Sequence, residues 1–193
     1  MKNPTADAKK NYLKAQAFFE NDKIDQALEL VNKHIKKTPD DLNFYHLRAR
    51  IYIEKKNLKG AIQDLLKILE HLPKNKEVLL DLAFSYAITF DYEKALEIYD
   101  TIIDLKSNHL RALYSKALVL NDMKRHIEAL EAINDAFDLY PLDVDVVRLK
   151  GLILYNLDKF EPSWECFDKV LHFKPDDSVS KQYKQILKDL LNK

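Results

Sequence analysis

The eleven residues "FDYEKALEIYD" (residues 90–100) contain one small residue, Ala95, with Tyr92 and Tyr99 on the same side of a helical turn pattern. A small residue recurs every 34 residues along the chain, at Ala27, Ala61, Ala95, Ala129 and Ser163. A fixed period of this length indicates a repeat architecture in which each copy is one supersecondary unit. We therefore interpret the tyrosines of this stretch as packing residues of one repeat, and not as a catalytic neighbourhood.

The repeats follow one another without gaps over residues 8–41, 42–75, 76–109, 110–143 and 144–177. When each repeat is numbered from 1 to 34, position 20 holds the small residues above, and position 8 holds a second small column: Ala15, Ala49, Ala83, Ala117 and Gly151. Positions 4, 8 and 11 share one face of a first helix, and positions 17, 20 and 24 share one face of a second. Small residues at both positions let the two helices cross closely, because larger side chains would hold their backbones apart.

The repeat ends carry helix-boundary signals. Position 32 reads Pro39, Pro73, Ser107, Pro141 and Pro175, and proline cannot continue a helix. Position 34 holds Asp41, Asn75, His109, Asp143 and Asp177, and the Asp and Asn residues among them suit the N-cap of the next helix. Residues 178–191 have the spacing of an amphipathic capping helix, with apolar residues at Val179, Tyr183, Ile186, Leu187 and Leu190.

This pattern of small, large and proline columns resembles the tetratricopeptide repeat (TPR) family over residues 8–177. Two family features are absent, the tryptophan of position 4 and the turn glycine of position 15. The resemblance implies an all-α fold, a TPR solenoid of antiparallel helix pairs that forms a right-handed superhelix. No Gly-, Ser- or Pro-rich linker interrupts the pattern, so we expect one solenoid over residues 1–193.

The composition argues against several classes of partner. The formal net charge is zero, which gives no electrostatic reason to expect nucleic acid or an anionic membrane as a partner. The two glycines, Gly60 and Gly151, are too few for a phosphate-binding loop. The single cysteine, Cys166, excludes an intrachain disulfide, and the most apolar run, residues 78–90, is too short to span a bilayer. We expect a soluble, cytoplasmic protein.

Few residues indicate chemistry. No two of the six histidines are three or four residues apart, so none forms a helical metal-ligand pair. We interpret His126 as a packing residue, Cys166 as a small hydrophobe and Trp164 as a contact between repeats. We therefore expect neither a metal, a cofactor nor a catalytic residue, and an enzyme is the least favoured of the hypotheses.

The first helices carry an unusual face. In the TPR family these helices line a concave groove through positions near 2, 5, 9 and 12, and nine of the twenty residues in these columns are large and apolar or aromatic. The outward columns 22, 26 and 29 of the second helices are all polar. Because apolar area with arginine is typical of binding sites, we predict a peptide-binding set: Tyr12, Phe19, His46, Arg50, Leu80, Phe84, Arg111, Tyr114, Leu118, Arg148, Leu152 and Tyr155.

The first hypothesis is a non-catalytic scaffold or adaptor that binds a partner peptide or amphipathic helix in this groove. Phe84, Tyr114 and Leu118 would be central anchors, with Arg50 and Arg148 supplying charge. The chain lacks the Lys, Asn and Arg clamp by which chaperone-binding TPR domains hold a terminal carboxylate. Two alternatives remain open: burial of some of these residues between first helices, Leu118 and Leu152 above all, and a self-assembling module or subunit of a larger complex, such as a homo-oligomer.

Overall fold

The computed structural model describes residues 6–105 and 109–191, and these residues form eleven α-helices with no strand among them. Ser107, which replaces a proline of the repeat, lies outside the described residues. The helices are α1 (Ala6–Glu20), α2 (Ile24–Lys37), α3 (Leu42–Glu54), α4 (Leu58–His71), α5 (Lys76–Ile88), α6 (Tyr92–Asp104), α7 (Leu110–Asp122), α8 (His126–Leu139), α9 (Val144–Asn156), α10 (Phe160–Phe173) and α11 (Ser178–Leu191). The predicted all-α fold is confirmed.

The helix boundaries follow the 34-residue period. Five first helices begin at Leu42, Lys76, Leu110, Val144 and Ser178, each the first position of a repeat or of the capping segment. The second helices begin at Ile24, Leu58, Tyr92, His126 and Phe160, all at position 17. The eleven helices therefore fit five antiparallel pairs and a final helix, and the β-branched residues of α9 are helical as the register predicts.

The chain divides into two compact units, Met1–Ile98 and Tyr99–Lys193. In the first unit one hydrophobic core joins α1 to α5, with Phe44, Leu47 and Leu65 almost fully buried. In the second unit Phe167 and Ile153 are fully buried, and Leu187 brings α11 into the core. The prediction of a single continuous solenoid stays a prediction.

The helix crossings use the two small columns as predicted. Every alanine at positions 8 and 20 has no exposed surface. In the fifth repeat the pair is Gly151 and Ser163, and the Ser163 hydroxyl donates a hydrogen bond of 2.9 Å to the Gly151 carbonyl oxygen. A Cβ added to Gly151 would lie 3.1 Å from the ring of Phe167. Glycine at this crossing therefore gives a buried phenylalanine the space that alanine would fill.

The inter-repeat N-caps agree with prediction at three of four positions. Asn75 accepts a hydrogen bond from the backbone N–H of Val78, and Asp143 and Asp177 do the same for α9 and α11. The prediction is wrong for Asp41, whose side chain makes no capping hydrogen bond. Its carboxylate instead lies 3.1 Å from Nε2 of the buried His34, because that imidazole is within reach and offers a polar partner.

Helix α11 closes the second unit with one face and presents polar residues on another. Ser180 and Leu187 are buried, and the ring of Tyr183 stacks on that of Phe167 at 5.1 Å. Positions 4, 8 and 11 of the repeat register, where other repeats receive their second helix, are exposed Lys181, Gln185 and Lys188 in α11. This polarity is typical of the outer face of a capping helix, which the sequence pattern predicts for this segment. Two of the predicted apolar residues, Val179 and Leu190, are exposed and not packed.

The turn within each repeat forces a non-glycine residue into the left-handed region. Asp22, Lys56, Phe90, Lys124 and Asp158 have φ between 57° and 64°, and all stand at position 15. At each turn the next residue's N–H bonds to the carbonyl five residues back, as from Arg125 to Leu120 at 2.9 Å, which is the Schellman end of a helix. For residues with a Cβ this backbone conformation is less favourable by about 1–2 kcal/mol, and for glycine it is not.

We expect Lys124→Gly to raise the free energy of unfolding by about 1 kcal/mol, because it removes this backbone strain while glycine's greater freedom in the unfolded chain offsets only part of the gain. Lys124 is exposed, so little contact is lost. The matched control is Lys124→Ala, which keeps the Cβ and should leave stability near that of the natural protein. Urea denaturation of the three proteins measures the difference, and equal stability of the glycine and alanine variants would contradict it.

Candidate functional site: the first-helix face

We use "first-helix face" for the residues at repeat positions 2, 5, 9, 12 and 13 of the first helices in each unit. In the first unit, α5 presents the most exposed apolar part of this face. Phe84 is 47% exposed, and Ile88, one turn further on, is 42% exposed. Phe19 and Ile53 at position 12 are half-buried. The guanidinium carbon of Arg50 lies 5.5 Å from the Phe19 ring centroid, which is a cation–π distance.

Two predicted residues of the first unit serve its internal packing. Nε2 of His46 lies 2.9 Å from Oδ2 of Asp81, so this pair joins α3 to α5. The ring of Tyr12 contacts Phe44 edge-on at 5.6 Å. Burial raises the pKa of the Tyr12 phenol, while Arg50 acts against the rise. Tyr12 therefore stays protonated at neutral pH and can donate a hydrogen bond.

Leu80 departs from the prediction because it is buried, with 4% of its surface exposed. It stands at position 5, where Tyr12, His46, Tyr114 and Arg148 are all half-buried. Each of those four side chains is longer than leucine and carries a polar end, which leucine lacks. Leucine at the same position ends inside the core. Leu80 is therefore a core residue and not an exposed anchor.

In the second unit the exposed apolar residue of the face is Leu118, which is 39% exposed. Leu152, at the same position of the next repeat, is half-buried, so the alternative of burial between first helices applies more to Leu152 than to Leu118. Tyr114 is half-buried, and burial raises the pKa of its phenol with help from the Asp145 carboxylate. Tyr155 packs edge-on against Tyr183 at 5.0 Å.

Arg148 has its charge balanced inside the second unit. Its Nη1 donates to Oδ2 of Asp177 at 2.9 Å, and its Nη2 donates to Asp145. Asp177 is buried and also caps the N-terminus of α11, so Arg148 connects α9 to the start of α11. Arg111 is exposed in this unit, as Arg50 is in the first. The geometry thus gives Arg148 a structural task that its sequence position did not indicate.

Position 13 was missed in the sequence analysis. It lies four residues after position 9 and therefore on the same side of the helix. Ile88 occupies it in α5, and Asn156 occupies it in α9. The Asn156 amide donates a hydrogen bond of 2.9 Å to Oδ1 of Asn121, which also lies 3.0 Å from Nδ1 of His126. Helical spacing from Phe84 and Leu152 was the signal that could have found both residues.

The described residues offer little that could bind a metal or act as a nucleophile. Within residues 6–105 and 109–191, no cluster of three or more His, Cys, Asp or Glu side chains could hold a metal ion. Burial raises the pKa of the Cys166 thiol, which disfavours the reactive thiolate. None of the described helices combines the length and apolarity that a membrane crossing requires.

Comparison with known proteins agrees with this helix-pair architecture. Family models described as tetratricopeptide repeat match residues 12–76 and residues 110–141. Together these segments cover half of the chain. The chain belongs to the tetratricopeptide repeat family.

Individual relatives are distant and longer. The chain is 28% identical over 112 residues to the protein O-mannosyl-transferase Tmtc3 of Drosophila melanogaster, a match that covers 58% of this chain and 12% of that protein. It is 24% identical over 166 residues to the peroxisomal targeting signal receptor of Saccharomyces cerevisiae, and this match covers 81% of this chain and 27% of that protein. The chain therefore spans about a quarter or less of the length of these relatives.

A solved structure shares the fold. The crystal structure of YrrB, described as a TPR protein with an unusual peptide-binding site, superimposes with a TM-score of 0.72. The match has 19% sequence identity and covers 89% of this chain and 88% of that one. At this identity the likeness establishes the fold alone.

We expect Arg148→Ala to loosen the start of α11, because Asp177 would keep its buried carboxylate without its cationic partner. Backbone amides of α11 should exchange with solvent at least about tenfold faster at pH 7, which corresponds to about 1.4 kcal/mol. Arg111→Ala, an exposed arginine on the preceding first helix, is the control and should leave this exchange unchanged. Unchanged exchange in Arg148→Ala would contradict the structural task of this residue.

The same contact gives a pH dependence with a definite sign. Burial alone would raise the pKa of Asp177, but the hydrogen bond from the Ser180 backbone N–H and the charge of Arg148 outweigh it and lower the pKa below the ordinary 3.8. The resulting stability is present above pH 3.8 and is lost as the pH falls through the lowered folded value. An NMR titration should give a pKa below 3.8 for the Asp177 carboxyl in the natural protein and a higher pKa in Arg148→Ala.

Proposed function

We propose that this protein is a non-catalytic interaction scaffold that binds a partner peptide or amphipathic helix on its first-helix face. The observation that carries the proposal is the exposure of Phe84, Ile88 and Leu118 at positions 9 and 13 of their repeats. A solvated helix face carries polar residues at such positions, as the outward columns of the second helices do. Exposed apolar side chains beside exposed arginines are typical of binding surfaces.

The relatives support an interaction role in general terms. One of them is a targeting signal receptor, and a protein of the same fold is described with a peptide-binding site. One relative is a transferase, but the match covers 12% of that protein, so the shared segment is a small part of it. We therefore propose binding as the task of this chain, without a catalytic residue of its own.

The predicted binding set is revised in this proposal. Phe84, Ile88, Leu118 and Leu152 would supply apolar contact, and Arg50 and Arg111 would supply exposed charge. Phe19, Tyr12, Tyr114 and Tyr155 would widen the surface with half-buried aromatic rings. Leu80, His46 and Arg148 would support the face from within, since each is buried or engaged in an internal pair.

We expect Phe84→Glu and Leu118→Glu each to weaken binding of selected peptides at least about tenfold, because a charge on an apolar contact must be desolvated without a partner. The peptides are selected from a displayed random library against the natural protein and measured by fluorescence anisotropy. The two single variants test the two units separately. Circular dichroism should report unchanged helix content, since both side chains are exposed.

The matched controls are Phe90→Glu and Ile127→Glu, which introduce the same charge at residues that are 76% and 69% exposed but lie off the first-helix face. These variants should bind the peptides like the natural protein. If the control variants lose binding and Phe84→Glu and Leu118→Glu retain it, the first-helix face is not the binding surface. A mass by light scattering that rises with concentration would favour self-assembly, the alternative of the sequence analysis.

A further inference from the structure

A surface pocket of about 430 Å³ lies between α10 and α11, away from the first-helix face. Its walls come from two neighbouring turns of α10 and from the last turns of α11: Glu161, Trp164, Glu165, Lys188 and Leu191. The volume lies within the range of ligand pockets, roughly 300–1,000 Å³. None of these residues belongs to the binding set proposed above, so the pocket is a separate feature of the second unit.

Trp164 is the single tryptophan of the chain and the largest side chain of the pocket. It is half-buried, and leucine or isoleucine occupies the same position in the four preceding repeats. The Nζ of Lys184 lies 4.3 Å from its ring centroid and is held there by an ion pair with Asp168. The indole therefore already contacts one cation, which covers part of the ring, and another part of the same side chain lines the pocket.

Two carboxylates stand on either side of Trp164 along α10. Glu161 and Glu165 are four residues apart, so they project from the same face of the helix, and both are exposed. Like charges at this spacing disfavour the helix. Within the described part of the chain, no ion pair joins either glutamate to a lysine or arginine. With Lys188 on the opposite wall, the pocket carries a net charge of −1.

We propose that this pocket binds an arginine side chain of a partner protein. The guanidinium would stack on the Trp164 indole and donate hydrogen bonds to Glu161 and Glu165, while its methylene groups would contact Leu191. Arginine combines a planar face that stacks on aromatic rings with a fork of donors that matches carboxylates. An anionic side chain, an apolar side chain and lysine fit this pocket less well than arginine does.

The walls of the pocket discriminate among the alternatives. An anionic group would be repelled by the two carboxylates at close range, unless salt screened the charges. A purely apolar side chain would cover the glutamates without supplying a hydrogen-bond donor. A lysine ammonium is more strongly hydrated and lacks a planar face, so it gains less from the indole than arginine does.

The single tryptophan provides the test. The probe is the capped tripeptide acetyl-Gly-Arg-Gly-amide, titrated into the full chain while the Trp164 indole N–H resonance and fluorescence are recorded. The neutral comparison is the same peptide with citrulline, which has the shape of arginine without its charge. We expect a saturable shift with half-saturation on the order of 1 mM for the arginine peptide and at least about tenfold weaker binding for citrulline and lysine peptides.

Variants locate the site without removing the reporter. Glu161→Gln with Glu165→Gln should weaken arginine binding at least about tenfold, whereas Glu29→Gln with Glu131→Gln, at position 22 of two other repeats, should leave it unchanged. Equal shifts with arginine and citrulline, or equal shifts with arginine and lysine, would overturn the proposal. So would retention of binding in the Glu161→Gln, Glu165→Gln protein, no shift with any peptide, or a shift produced by dilution of the protein alone.

Discussion

The structure depends on one constraint, the close approach of two helices at each crossing of position 8 with position 20. Every alanine in these columns is fully buried, and the fifth repeat reaches the same proximity with Gly151 and Ser163. A larger residue here would cost about 1–3 kcal/mol through overpacking. Because the crossing sets the helix register, it also decides which columns face the core and which face solvent. The candidate binding residues are a consequence of that register.

Much of the fold could be predicted because each of the five repeats carries the same types of residue at the same packing positions. Helix starts at Leu42, Lys76, Leu110, Val144 and Ser178 follow directly from the period. The turn at position 15 shows how far the backbone requirement can override residue preference, since five residues with a Cβ adopt positive φ there. The missing glycine was visible in the sequence, but the retained left-handed conformation was not, because it is imposed by the two packed helices on either side.

For the candidate site, the sequence predicts which repeat positions lie on the first-helix face, but it does not predict the exposure and the partners of each residue at those positions. Positions 9 and 13 follow from helical spacing, and Phe84 and Leu118 are exposed as that spacing indicates. Leu80 is buried, whereas the longer polar side chains at the same position of the other repeats are half-buried. The pairing of Arg148 with Asp177 joins residues 29 apart in sequence, and the pairing of Asp41 with His34 replaces a cap. Such pairs depend on which neighbouring carboxylate lies within reach, which no column of the repeat specifies.

The central claim is that a partner lies on the first-helix face, and site-specific photocrosslinking measures this most directly. A photoreactive phenylalanine analogue at position 84 or 118 replaces an exposed apolar residue of that face, and the same analogue at Gln63 or Asp135 probes the outward columns of the second helices. With a peptide selected for binding, we expect crosslinks from positions 84 and 118 and none from positions 63 and 135. Crosslinks from the outward positions alone would contradict the claim.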